Sequence, residues 1–331
     1  MKALYCYFGR FTDHCADIPG HPLYQLFFLK SLKKKFSIDS FDVFYYDHDI
    51  YDYSVSNYSI LKDYRRNIES ELIRKNDISL QEVLDTKYDV VFLKYRFRNL
   101  SRLKDRCLDR YYFEMIYNNK KNVSWIIDSD DMIQEPYENI ITYFWNKHSY
   151  HTETKNIKKV IPVQYDDIIT AINIIKDENN GFLLKDKNKL TFIGNEYFKV
   201  GLHDLFIDIH SLDEKLNIIV QGKWNKYQYI SKIIPRIERK LGYLALKNSI
   251  CSIQKSKESY LVDNFLSPRI FESWLLGTLI FSENSFMPKF SSFKTSIELS
   301  EKIKFLNEID NETYSNLLFN EILEFYNNII L

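Results

Sequence analysis

The chain has 331 residues, 45% of them hydrophobic and 27% charged, enough apolar material for more than one core at about 100 to 200 residues per domain. Lys plus Arg total 45 and Asp plus Glu total 45, so no global field draws the protein to nucleic acid or anionic lipid, and any such contact has to be a local patch. No apolar run approaches the roughly 18 to 20 residues that span a bilayer, and the start Met1-Lys2-Ala3-Leu4-Tyr5-Cys6-Tyr7 reads as a strand rather than a signal peptide, which points to a soluble cytoplasmic protein without a membrane partner.

Short β-rich runs alternate with longer helical stretches along the first half. Strands are expected at Lys2–Phe8, Phe41–Tyr46, Val90–Lys94, Val123–Ile127 and Val160–Val163. Helices are expected at Leu23–Phe36, which ends in the cations Lys33-Lys34-Lys35, and over 59–84 and 101–118. After the polar break Asp186-Lys187-Asn188-Lys189 the alternation restarts. Strands follow at Leu190–Ile193, Leu216–Val220, Ser249–Ile253 and Thr278–Phe281, and helices at Leu202–Leu212, Pro235–Leu246, Arg269–Leu276 and Asn316–Ile330. Near-continuously apolar strands separated by helices imply parallel sheets covered on both faces, hence two consecutive Rossmann-like α/β domains facing a cleft. In open sheets of this kind ligands sit at the carboxyl ends of the strands.

Cys6, Cys15, Cys107 and Cys251 lie far apart without metal-ligand spacing, and two fall in apparent buried strands, so reduced thiols and no structural metal are expected. The eight glycines are placed so that neither GxGxxG nor GxxxxGK[ST] occurs, which disfavours dinucleotide binding and Walker-type phosphoryl transfer.

The most informative stretch is Asp263-Asn264-Phe265-Leu266-Ser267-Pro268-Arg269-Ile270-Phe271-Glu272, continuing to Gly277. Arg269 and Glu272 are three apart near a helix N-terminus, with Ile270, Phe271, Trp274 and Leu275 on the other face. A carboxylate there can accept both ribose hydroxyls of a nucleotide while the Arg and the helix dipole face its phosphates. The plain alternative is a surface ion pair. With its Arg-x-x-Glu-x-x-x-x-Gly pattern the chain resembles the nucleotide-sugar transferases of GT-B fold, and most closely the DNA β-glucosyltransferases of T-even phages, which move glucose from UDP-glucose to 5-hydroxymethylcytosine in duplex DNA.

That resemblance implies a donor site in the second domain. In Phe192-Ile193-Gly194-Asn195-Glu196-Tyr197-Phe198-Lys199-Val200-Gly201-Leu202-His203 it places Lys199 and His203 where the family has two phosphate-binding arginines, a departure that shifts the load toward Arg269 and backbone N–H groups near Gly194. It also sets Glu258 near the donor, Gly222 where such folds bring backbone to uridine, and His21 where the family has a sugar-contacting Glu. An ordinary connection or surface loop is the competing reading for each.

Trp125-Ile126-Ile127-Asp128-Ser129-Asp130-Asp131 ends a strand with three carboxylates. Inverting transfer requires one base for the acceptor hydroxyl; the resemblance selects Asp128, with Asp130 in reserve. A DxD metal motif of GT-A type and an N-cap cluster before a helix over Tyr137–Phe144 compete with it. Residues 94–106 carry six cations and two aromatics, so Arg96, Arg98, Arg102 and Lys104 are candidates for phosphate-backbone contact and Phe97 for a wedge beside a flipped base, against a solvated helix start balanced by Asp105 and Asp109.

The expectation is therefore an α/β GT-B enzyme of two domains. Residues 1–187, completed by a C-terminal helix 316–331, form the acceptor domain, and 188–315 form the donor domain. The enzyme transfers a sugar, glucose first, from a UDP-sugar to a hydroxymethylated pyrimidine in double-stranded DNA, with a divalent cation at most as a stimulant, and acts as a monomer in the cytoplasm of a phage's host. The alternatives are a GT-B enzyme of surface polysaccharide or other glycan synthesis and a binding module without turnover.

Overall fold

A computed structural model describes residues 1–7, 22–45, 61–94, 107–127, 140–143, 157–196, 201–235, 238–255 and 267–330. Contacts divide the chain into two compact units, Met1–Asn57 with Lys62–Gln164, and Tyr58–Leu61 with Tyr165–Leu331.

The first unit is built on a seven-stranded parallel sheet. Its strands are β1 (Lys2–Tyr7), β2 (Ser40–Tyr45), β3 (Ile73–Lys75), β4 (Val90–Lys94), β5 (Val123–Ile127), β6 (Ile140–Tyr143) and β7 (Ile157–Val160), in the order β3-β2-β1-β4-β5-β6-β7. The helices are α1 (Pro22–Phe36), α2 (Lys62–Leu72), α3 (Leu80–Asp85) and α4 (Cys107–Asn119). Ala3 to Cys6 in the interior strand β1 are fully buried, as burial of a parallel sheet on both faces requires, and Leu4 and Cys6 pack with Phe44, Val83, Val91, Leu93 and Ile116. A buried acid of this unit, Asp42, is held by Arg74 and by the Tyr88 hydroxyl at 2.9 Å. Burial, then the hydrogen bond to Asp42, pushes the Tyr88 phenol up.

Three expectations for this unit are corrected. The helix over 59–84 divides into α2 and α3 around the short edge strand β3, where Ile73-Arg74-Lys75 has too little apolar content to read as a strand. The strand over Val160–Val163 lies three residues earlier, because Pro162 has no N–H for a ladder. Part of the Tyr137–Phe144 helix is instead β6, whose Ile140-Ile141-Thr142-Tyr143 is β-branched and aromatic and pairs with both β5 and β7.

The second unit carries a five-stranded parallel sheet of β8 (Asp186–Ile193), β9 (Asn217–Gln221), β10 (Lys232–Ile234), β11 (Ser249–Gln254) and β12 (Leu279–Ser282), in the order β10-β9-β8-β11-β12. Its helices are α5 (Tyr165–Asp177), α6 (Leu202–Leu212), α7 (Arg239–Asn248), α8 (Pro268–Leu275), α9 (Ser296–Glu308) and α10 (Asn311–Ile330). α5 packs against α8 and α10, and Phe325 of α10 meets the Trp274 and Phe271 rings of α8 at centroid distances of 4.7 and 6.2 Å. Cys6 and Cys251 are buried free thiols. Among the described residues no helix is long and apolar enough to cross a membrane.

Candidate functional site

Strands β8 and β9 run side by side, with Ile193 opposite Gln221, and each is followed at its carboxyl end by a glycine. Gly194 and Gly222 have φ of +156° and +145°. The Gly194 N–H donates to the Gln221 carbonyl at 2.8 Å and the Gly222 N–H to the Ile234 carbonyl at 3.1 Å. A Cβ on Gly222 would lie 2.3 Å from the Gly194 carbonyl oxygen, and one on Gly194 would lie 2.7 Å from Nη2 of Arg269. Two turns thus cross with no side chain between them and a guanidinium against them, a close backbone approach that only glycine permits.

Arg269 reaches this place from the first turn of α8. Ser267 caps the helix, its hydroxyl accepting from the Arg269 N–H at 3.4 Å, and Pro268 occupies the first turn, where a missing N–H costs nothing. The guanidinium carbon lies 5.4 Å from the centre of the Phe192 ring. Nη1 makes a long, 3.5 Å contact to Oε1 of Gln254, whose own amide is oriented by donation to the Lys255 carbonyl at 3.3 Å. One turn further on, Glu272 is only 4% exposed, so it is not a surface residue; a carboxylate at that depth is costly unless polar groups meet it.

Beside the crossing lies a second polar group of residues. The Glu196 carboxylate accepts from the Asn225 N–H at 3.0 Å and from the Tyr227 hydroxyl, and stands 2.8 Å from Nε2 of His203. Nδ1 of His203 is hydrogen-bonded to the Tyr229 hydroxyl. Tyr227 and Tyr229 stack at 5.2 Å, and the Trp224 indole donates to the Gly194 carbonyl at 2.6 Å while packing between Phe192 and Phe206. Burial alone raises the Glu196 carboxyl, but Tyr227, the Asn225 N–H and His203 outweigh it and hold it below its usual value. The hydrogen bond to Glu196 pushes the Tyr227 phenol up, and burial pushes that of Tyr229 up to about 12.

Of the residues singled out in the sequence, the structure brings Gly194, Gly222 and Arg269 together, sets Glu272 one turn from Arg269, and joins His203 to the group through Glu196. In this arrangement Nδ1 of His203 is taken by Tyr229 and Nε2 faces the Glu196 carboxylate. His21, Arg96, Phe97, Arg98, Arg102, Lys104, Asp128, Asp130, Lys199 and Glu258 lie outside the described residues. Glu196, Trp224, Tyr227, Tyr229 and Gln254 have no counterpart among the expected site residues. For the last of these, position at a strand's carboxyl end is the signal available in the sequence.

No family model matches the chain, and no curated protein matches it in sequence. Among solved structures, an α-glucosyltransferase in complex with UDP and a 13-mer DNA containing a central A:G mismatch is similar over 99% of this chain and 95% of that one, with a TM-score of 0.58 and 9% identity. An α-glucosyltransferase with UDP-glucose and DNA containing an abasic site matches over 99% and 95%, with a TM-score of 0.57 and 11% identity. The α-glucosyltransferase complex with UDP matches over 99% and 96%, with a TM-score of 0.57 and 10% identity. At these identities the likeness establishes the fold alone, which is GT-B, and the two parallel α/β units agree with it.

Proposed function

We propose that the chain is a UDP-sugar-dependent glycosyltransferase that moves a hexose, glucose first, to a hydroxymethylated pyrimidine in duplex DNA. The observation that carries the donor half is the side-chain-free crossing of the Gly194 and Gly222 turns against Arg269 at the carboxyl ends of parallel strands. Bare backbone, a guanidinium and the N-terminus of α8 together suit a diphosphate, and Glu272 suits the ribose diol. The acceptor half is supported by the GT-B structures with TM-scores of 0.57 and 0.58, whose complexes hold UDP or UDP-glucose together with DNA.

In this mechanism Arg269 and Lys199 stabilise the charge that develops on the departing diphosphate. Asp128 takes the proton of the acceptor hydroxyl, with Asp130 in reserve. His21 and Glu258 flank the donor, while Arg96, Arg98, Arg102 and Lys104 neutralise DNA phosphates and Phe97 fills the gap left by a flipped base. One base acting alone corresponds to inversion, and so to a β-linked product from an α-linked donor.

The test is to incubate the protein with UDP-sugars and DNA carrying cytosine, hydroxymethylcytosine or hydroxymethyluracil, and to digest to nucleosides for mass spectrometry. Hexose on a hydroxymethylated base supports the proposal. UDP binding without DNA transfer overturns the acceptor half and leaves a GT-B enzyme of glycan synthesis as the better reading. Asp128→Asn is expected to keep UDP binding and lose about 10²-fold or more in transfer. The anomeric proton coupling of the product decides the stereochemistry: a β-glycoside supports Asp128 as sole base, and an α-glycoside overturns it.

A further inference from the structure

We propose that Glu196 is a positioning residue for the donor diphosphate, locking the turn at Gly194 to the loop after Gly222 and withdrawing His203 from the phosphate ligands. This rests on the donor reading above. The fastening is continuous along the turn. The Gly194 carbonyl accepts from the Trp224 indole, Asn195 Oδ1 accepts from the Lys223 N–H at 3.0 Å, and the Glu196 N–H donates to the Lys223 carbonyl at 3.1 Å. The Glu196 carboxylate then gathers Asn225, Tyr227 and His203. A turn tied at three successive residues is ordered before a ligand arrives, so binding does not have to supply that entropy.

The same carboxylate decides what His203 does. With Nε2 against Glu196, Nδ1 on Tyr229, and the ring edge-on to Tyr227 at 4.7 Å, His203 is a strut between α6 and the β9–β10 loop. A diphosphate could recruit the ring only by displacing a carboxylate that the Tyr227 hydroxyl and the Asn225 N–H keep ionised. Arg269 is then the fixed cation of the described site, and the contribution of this side is geometric: Glu196 holds the backbone of the Gly194 turn, against which the Arg269 guanidinium lies, where the phosphates arrive.

A role in aiming the diphosphate has a signature that general loosening of the fold lacks, because uridine has the base and ribose of UDP and none of its phosphates. In the full-length protein, Glu196→Ala is expected to weaken UDP about tenfold, the loss of one charged hydrogen-bonding group, and uridine less than about twofold. Glu196→Gln, whose amide oxygen still accepts, should recover most of the difference. Tyr227→Phe, which keeps the ring packing, reads the same effect from the partner's side should Glu196→Ala fail to fold, with about a threefold loss for UDP alone. His203→Gln, able to donate to Glu196, should stay within about threefold of wild type, while Arg269→Ala loses tenfold or more. An unchanged ratio of UDP to uridine affinity in the Glu196 and Tyr227 variants overturns the proposal, as does a His203→Gln loss equal to that of Arg269→Ala. A wild-type protein that binds no UDP overturns the donor reading itself, and this inference with it.

Discussion

Gly222 has room for a hydrogen and nothing more. Its φ of +145° and the 2.3 Å approach of a Cβ to the Gly194 carbonyl oxygen mean that alanine has to move backbone, not a flexible side-chain end. Gly222→Ala is therefore expected to lower Tm and to abolish measurable UDP binding, since the turn displaced is the one proposed to face the phosphates. Glu272→Ala should cost about 2 to 4 kcal/mol in UDP binding by calorimetry, from two hydrogen bonds to a charged acceptor at roughly 1.5 to 3 each with imperfect additivity; unchanged affinity in the folded variant removes the ribose role. Glu196 adds a pH signature. Its folded value is held below the usual 4.5, so its contribution to stability is complete above the unfolded value and is lost as pH falls through the folded one. The Tm difference between wild type and Glu196→Gln should accordingly be present near neutrality and close in acid. Arg269 and Glu272 stand out in the sequence because their spacing of three near a helix N-terminus sets both charges opposite an apolar face. Glu196 does not, because its partners Asn225, Tyr227 and His203 lie 29, 31 and 7 positions away, and a loop carboxylate without visible partners reads as surface.

At the scale of elements, most apolar interior strands declared themselves, whereas the edge strands β3 and β10, the interior β6 and the polar first half of β8 did not. β1, β4 and β5 are mainly apolar, β11 alternates apolar with small polar residues, and all four stand within one residue of their expected bounds. β3 and β10, three residues each and each an edge of its own sheet, carry Arg74 and Lys75 and Lys232, which suit a protected edge and erase the strand signal. α9 was missed although its cap was available in Thr295-Ser296-Ile297-Glu298, where the Thr295 hydroxyl accepts from the Glu298 N–H at 3.2 Å. α10 begins five residues before the expected Asn316, because its polar first turn hides the helix period. That turn fastens the sheet. The buried Tyr314 hydroxyl accepts from the Leu279 N–H of β12 at 2.9 Å and donates to the Ile250 carbonyl of β11 at 2.8 Å. Tyr314→Phe leaves two buried backbone groups unpaired and should lower unfolding free energy by about 2 to 4 kcal/mol in urea, with the m-value unchanged. A loss below about 0.5 kcal/mol would mean that the backbone finds other partners.

At the scale of the whole molecule, the alternation of apolar strands with helices specified two parallel sheets, and the GT-B arrangement follows at 9 to 11% identity to the solved structures that share it. Charge argues differently. With 45 cations against 45 anions the chain has no long-range pull on DNA, so duplex affinity, if this is a DNA-modifying enzyme, has to come from few contacts. For about three to five phosphates neutralised, log K should fall against log salt with a slope near 0.9 per contact. Residues 94–106, with six cations, are the densest source proposed for them. Reversing Arg96, Arg98 and Arg102 to Glu should abolish duplex binding and DNA transfer and leave UDP affinity intact, because the proposed donor groups Gly194, Gly222, Arg269 and Glu272 belong to the other compact unit. A hydroxymethyl group presented to a buried donor also requires its nucleotide to leave the stack, so a mismatched target should react faster than a paired one. If the triple variant modifies DNA normally, the contacts lie elsewhere. If wild type shows no salt-sensitive duplex binding, the acceptor is not DNA, and the same donor site has to serve a glycan.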